Sequence, residues 1–166
     1  MKIQIIEISR TKDKRLSALE GEYQKRLSPY AKIEEIILPA SKFDDRTRTQ
    51  NEEKSTIEKH LNPRAVIIAL DEHGKEFTSE EFANFLGKHK DKGAELQFLI
   101  GGSHGLHPDV LGGATARISL SLMTMPHELV RVVFKEQLYR AFTILAGKPY
   151  HKGNTKSVDF FGFFAS

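Results

Sequence analysis

An α/β fold, a largely parallel sheet with helices on both faces, is what the sequence predicts, and three observations predict it. Two aliphatic runs of strand length, "AVIIAL" (65 to 70) and "ELQFLI" (95 to 100), show no polar alternation, as strands covered on both faces require. Strand-like and helix-like patterns alternate along the chain, the order that builds crossover units. Cap and stop signals punctuate the patterns at "SPY" (28 to 30), at "TSEE" (78 to 81), and at Gly147 with Pro149.

Each element has its own justification. "KIQIIEI" (2 to 8) alternates as a strand does. Leu16, Leu19, Tyr23 and Leu27 share one helical face, and Pro29 stops that helix because it cannot continue the hydrogen-bond ladder. "KIEEIIL" (32 to 38) is a second strand, closed by Pro39. Residues 41 to 56 are polar and charged, with almost nothing to bury. They are expected to form a mobile loop or the solvated start of a helix ending near Leu61. After the strand at 65 to 70, Thr78 and Glu81 form a capping-box pattern that opens a helix carrying Phe82, Phe85 and Leu86. The strand at 95 to 100 runs directly into "GGSHG", and "ARISLSL" (116 to 122) fits a fifth short strand. A last helix extends from about His127 to Ala146, with Val130, Phe134, Leu138, Ala141 or Phe142, and Leu145 in its apolar stripe.

At 166 residues, the chain suits a single domain with one substantial core. No aliphatic run approaches the roughly 20 residues needed to cross a bilayer, and "MKIQIIEISR" enters a strand without a cleavage-site motif. A cytoplasmic protein with no membrane association is therefore expected. The absence of cysteine excludes disulfides and thiolate metal sites. A net charge of +3 is compatible with an anionic partner such as RNA without demanding one.

In open parallel sheets ligands bind beyond the carboxyl ends of the strands, which directs attention to the loops after Leu70, Ile100 and Leu122. Gly101, Gly102 and Gly105 would let backbone N–H groups approach a ligand closely, although a tight structural turn uses the same residues. The loop is not a dinucleotide fingerprint, because it follows a late strand and no carboxylate stands about 20 residues on. Met123, Thr124, Met125 and Pro126 make an apolar hook where a polar turn is expected. It offers backbone hydrogen bonds beside flat hydrophobic surface, as a purine would need, or else a core-packed connection. His104, His107 and Asp109 lack the helical spacing that would aim them at one ion, so no metal site is expected. His127 is expected to cap the last helix or lie at the surface, and "PYHKGN" (149 to 154) is a surface loop with an aromatic anchor.

Taken together, "LIGGSHGLH", "SLSLMTMPHELVRVVFKEQLYRAF" and "PYHK" resemble the RlmH-type SPOUT methyltransferases, and the similarity extends from "KIQIIEI" through "EYQKRLSPY" and "VIIALDEHGK" to Lys152. The resemblance implies transfer of a methyl group from S-adenosylmethionine to N3 of a pseudouridine in large-subunit ribosomal RNA. It also implies a C-terminal trefoil knot and a homodimer with its active site at the subunit interface. Carried over residue by residue, the cofactor pocket would comprise Leu70, Gly101, Leu120, Ser121, Leu122, Met123, Thr124 and Met125. His151 would be the general base, with His127 a weaker candidate, Tyr150 and Lys152 orienting the base or its phosphate, and Arg131 a further cation.

With so little charge per chain, the assembled ribosome is the expected substrate. A non-catalytic RNA-binding module of the same fold is the rival reading. One departure from the family pattern is the tail at 153 to 166, "GNTKSVDFFGFFAS", whose four phenylalanines are expected to pack on the protein rather than remain in water.

Overall fold

The computed structural model describes residues 1–152. Along the chain run β1 (Lys2–Ile8), α1 (Lys14–Leu27), β2 (Lys32–Leu38), α2 (Arg46–Glu58), β3 (Val66–Glu76), α3 (Ser79–Asp91), β4 (Leu96–Ile100), α4 (Pro108–Gly113), β5 (Ala116–Ser119) and α5 (His127–Leu145). The five strands form one sheet in the order β2-β1-β4-β3-β5, and every pairing is parallel. The α/β fold class is therefore as the sequence predicts.

Successive strand residues point to opposite faces, so one apolar strand can feed two cores. Ile3, Ile5, Ile68 and Phe98 join Leu27, Phe82, Leu86, Phe134 and Leu138 on the face covered by α1, α3 and α5. Their neighbours Ile6, Ile8, Ala69 and Leu99 turn to the other face and meet Ile57 of α2 and Val110 of α4. That division explains why the runs at 65 to 70 and 95 to 100 carry no polar alternation.

Several details depart from the sequence-based expectation. The polar segment at 41 to 56 does have something to bury. It contains most of α2, whose inner face is Thr49, Gln50, Glu53 and Ile57, at helical spacing but almost wholly polar. Helix α4 is too short to show periodicity; its signals were His107, which caps it by accepting from Asp109 N–H at 2.9 Å, and Pro108 in the first turn. Leu19, expected on the buried stripe of α1, is 46% exposed, because the helix turns Glu20 inward instead. β5 ends at Ser119 rather than at residue 122. The Thr78–Glu81 capping box forms in both directions, as expected.

The reason for the inward Glu20 is a buried ion network. Lys135 of α5, 2% exposed, hydrogen-bonds to Glu20 Oε1 at 3.1 Å and to Glu35 Oε1. Arg131, one turn earlier, is equally buried and lies 3.1 Å from Glu7 Oε2 through Nε, while its other nitrogens donate to the Ile8 carbonyl and to Thr11 Oγ1. Burial pushes the Glu7 carboxyl up to about 7, against the opposing pull of Lys135 and Arg131. The carboxylates of Glu7, Glu20 and Glu35 converge closely enough to suggest a cation site, and Lys135 supplies the cation from within the chain.

Candidate active site

Beyond the carboxyl ends of β3, β4 and β5 lies a cavity of about 1010 Å³. Its walls are the three loops already named. Leu70 stands where β3 loses its regular pairing: Leu70 and Lys75 both oppose Ile118, so residues 71 to 74 bulge outward, carrying Asp71, Glu72 and His73 to the rim. At the far side of that bulge, Gly74 passes so near β5 that a Cβ would lie 2.7 Å from the Arg117 carbonyl carbon.

The glycine loop after β4 closes on itself. A Cβ on Gly101 would stand 2.8 Å from the carbonyl carbon of Gly105 and 2.9 Å from Leu106 N, which leaves no space for a side chain. Gly105 adopts φ +72°, a left-handed conformation that glycine takes without steric cost, and donates its N–H to the Gly102 carbonyl at 3.1 Å. The hook from 120 to 126 is tied internally. Ser119 Oγ donates to the Ser121 carbonyl and Met123 N–H to Ser121 Oγ, both at 2.9 Å. Across the rim, Thr124 Oγ1 donates to Glu72 Oε2 at 3.0 Å, joining the hook to the β3 bulge.

Leu70, Gly101, Leu120, Ser121, Met123, Thr124 and Met125 all line the cavity. Leu122 does not; its side chain is 70% exposed and outside the wall. Arg46 and Gln50 of α2 also line the cavity, and sequence reasoning passed over both because they lie in the polar segment.

A family model described as predicted SPOUT methyltransferase matches residues 1–151. The chain belongs to the SPOUT methyltransferase family. The ribosomal RNA large subunit methyltransferase H of Clostridium botulinum (strain Kyoto / Type A2) is 43% identical over 159 residues, covering 92% of this chain and all of that protein. The protein of the same name from Koribacter versatilis is 42% identical over 160 residues, again along its full length. Two solved structures share the fold at 12% identity. A probable methylase family protein from Haemophilus influenzae aligns with TM-score 0.56 over 98% of this chain and 76% of its own. A probable methyltransferase from Bordetella pertussis aligns with TM-score 0.57 over 85% of this chain and 96% of its own.

In this SPOUT chain the residues at 150 to 152 stand apart from the cavity. Tyr150, His151 and Lys152 are all outside its wall. His151 Nε2 lies 2.8 Å from Glu80 Oε1 at the start of α3, and its Nδ1 lies 3.2 Å from an Arg140 nitrogen. Arg140 can only donate, so Nδ1 accepts and Nε2–H donates to the carboxylate, which orients the imidazole. The His151 hydrogen bond in turn holds the Glu80 carboxyl below the usual carboxylate range. Tyr150 donates its hydroxyl to Glu136 at 3.1 Å and packs edge-on against Tyr139, and burial followed by the Glu136 charge raises its pKa, so the phenol stays protonated. Lys152 is exposed.

The SPOUT cavity does contain histidines of its own, His73, His104 and His127. His127 lines it at the start of α5, where no side chain caps the helix. Burial first, then the Arg131 charge, pulls its pKa down, which keeps the ring neutral. Arg131, expected as a cation for the site, is instead fully buried against Glu7. Among the described residues no helix is long and apolar enough to cross a membrane. The phenylalanine-rich tail lies outside the described residues.

Proposed function

We propose that the chain transfers a methyl group from S-adenosylmethionine to N3 of a pseudouridine in large-subunit ribosomal RNA, as a cytoplasmic homodimer acting on the assembled ribosome. One observation carries the reading. The cavity at the carboxyl edge of the sheet is walled by Leu70, Gly101 and the hook from Leu120, in a chain about two-fifths identical along its length to large-subunit rRNA methyltransferases. The wall suits the cofactor. Leu70, Leu106, Ile118 and Met125 give apolar surface for a purine, the glycine and hook backbones bring polar groups close, and Asp71 and Glu72 put negative charge at the rim for a cationic ligand. The knotted C-terminal topology belongs to the same reading, supported by membership of the SPOUT family.

When bound, S-adenosylmethionine supplies an electrophilic methyl group, and the chain must position it and remove one proton from the imide nitrogen. His151 is an imidazole oriented by Glu80 and Arg140. Because it lies outside its own subunit's cavity, we assign it to the pocket of the second subunit, where Nδ1, released from Arg140, would accept the imide proton with Tyr150 and Lys152 beside it. His127 is the second candidate base, favoured by its place in the cavity wall and its neutral state.

His151→Ala is expected to slow single-turnover methyl transfer by about 100-fold, the contribution typical of a positioned general base. Transfer within a few-fold of the parent would remove His151 from the mechanism. The rival RNA-binding module is separated by titration calorimetry with S-adenosylmethionine, which should evolve binding heat; a pure RNA binder shows none.

A further inference from the structure

We infer that Gln50, on the polar face of α2, is a positioning residue that holds the glycine loop in its cofactor-binding shape. The inference rests on the methyl-donor reading of the cavity. The loop from 101 to 107 lies between β4 and the short helix α4, and little of its shape is secured internally beyond the Gly105-to-Gly102 hydrogen bond. Helix α2 supplies the rest. Gln50, only 8% exposed, donates from Nε2 to the His104 carbonyl at 2.9 Å and reaches the Leu106 carbonyl at 3.4 Å. One amide therefore spans both sides of Gly105, the residue with the left-handed backbone.

Three neighbouring contacts act in the same direction. His107 Nδ1 accepts from Asp109 N–H, so its Nε2–H donates to Asn51 Oδ1 at 3.0 Å. Lys54 pairs with Asp109 at 2.8 Å. The Glu53 carboxylate lies against Gly102, where a Cβ would meet Oε1 at 3.4 Å. Gln50, Asn51 and Glu53, within little more than one helical turn, face different parts of the loop, and Lys54 beside them holds the start of α4. This is the chemical use of a helix whose inner face is polar. An apolar face would bury the loop's carbonyl oxygens without partners, at a cost that a hydrogen-bonding amide avoids.

The substitution that isolates the role is Gln50→Met, which keeps length and volume while removing the donors. It is expected to weaken binding of S-adenosylmethionine by roughly tenfold in titration calorimetry, as loss of hydrogen bonds to buried acceptors implies. The KM for the cofactor should rise with kcat at saturation little changed, and the melting temperature should fall by only a few degrees. Asn51→Ala, at an exposed position that the fold can spare, should weaken binding in the same direction by a few-fold.

Hydrogen–deuterium exchange without cofactor gives a reading independent of activity: amides of the 101 to 107 segment should exchange faster in Gln50→Met while those of β1 and β4 do not. Binding by both variants within twofold of the parent, or unchanged exchange in the loop, would overturn the inference. Absence of any cofactor heat with the parent would instead sink the methyl-donor reading, and the exchange experiment would still decide whether α2 braces the loop.

Discussion

Gly101→Ala should weaken S-adenosylmethionine binding by roughly 5- to 150-fold, the range that about 1–3 kcal/mol of overpacking produces. The added methyl would meet the Gly105 carbonyl carbon at 2.8 Å, Leu106 N at 2.9 Å and Gly105 Cα at 3.1 Å. All three are backbone atoms. No side chain can rotate aside, so the loop itself must open, and its displacement falls on the cavity wall. The backbone at Gly101 is not left-handed, so sterics alone drive the effect. Gly105→Ala makes the contrast: a Cβ there meets open space, yet φ +72° costs an alanine about 1–2 kcal/mol, which is paid without a collision. Calorimetry on the two variants checks the distinction, and affinity within twofold of the parent in Gly101→Ala would mean that the loop does not bind the cofactor.

Lys135→Met is expected to produce the largest loss of stability. It removes the ammonium around which Glu7, Glu20 and Glu35 are gathered, leaving carboxylates buried with insufficient counter-charge. Breaking a buried pair in this way costs about 3–5 kcal/mol, which corresponds to a fall in melting temperature of roughly 6–20 °C for a chain of this size. Burial pulls the Lys135 pKa down, but the hydrogen bond to Glu35 and the charges of Glu7, Glu35 and Glu20 outweigh it and raise the net value. The ammonium is thus firmly protonated across the neutral range.

The sign of the pH dependence follows from Glu7. Its carboxyl is raised from 4.5 to about 7, so the folded state holds the proton more tightly than the unfolded chain. Stability from this group is fully present below the unfolded value and is lost as pH rises through the folded one. Lys135 is the strongest charge holding the Glu7 carboxyl down, so removing it raises that group further, and the deficit of Lys135→Met should therefore shrink on going from about pH 8 to about pH 5. Thermal melts at the two pH values test this, and a deficit that grows in acid would contradict the network as described.

Much of the architecture was legible in the sequence because apolar periodicity reports burial directly. Ile3, Ile5, Phe98, Phe134 and Leu138 are core residues in strands and helices placed within a residue or two. α2 was illegible for the complementary reason. Thr49, Gln50 and Glu53 are buried with hydrogen bonds to Phe43, His104 and Ser41, and no hydropathy pattern marks such a face. Arg131 and Lys135 sit within an apolar stripe, yet only the positions of Glu7, Glu20 and Glu35 in space show that they are internal counter-ions.

The cavity wall was largely legible, since the rule that ligands gather at the carboxyl edge of a parallel sheet selects the loops after Leu70 and Ile100 and the hook. The segment at 150 to 152 was not. Tyr150 and His151 are tied to α3 and α5, away from the cavity, by partners distant in sequence or on the preceding helix that no local pattern marks.

The most direct test of the whole account is methyl transfer from labelled S-adenosylmethionine to whole ribosomes lacking the modification, with the product nucleoside identified by mass. The expected result is a single methyl group on N3 of a large-subunit pseudouridine, formed on ribosomes and poorly on isolated RNA. Transfer to any other nucleoside, or none to ribosomes by a protein that binds the cofactor, would contradict it.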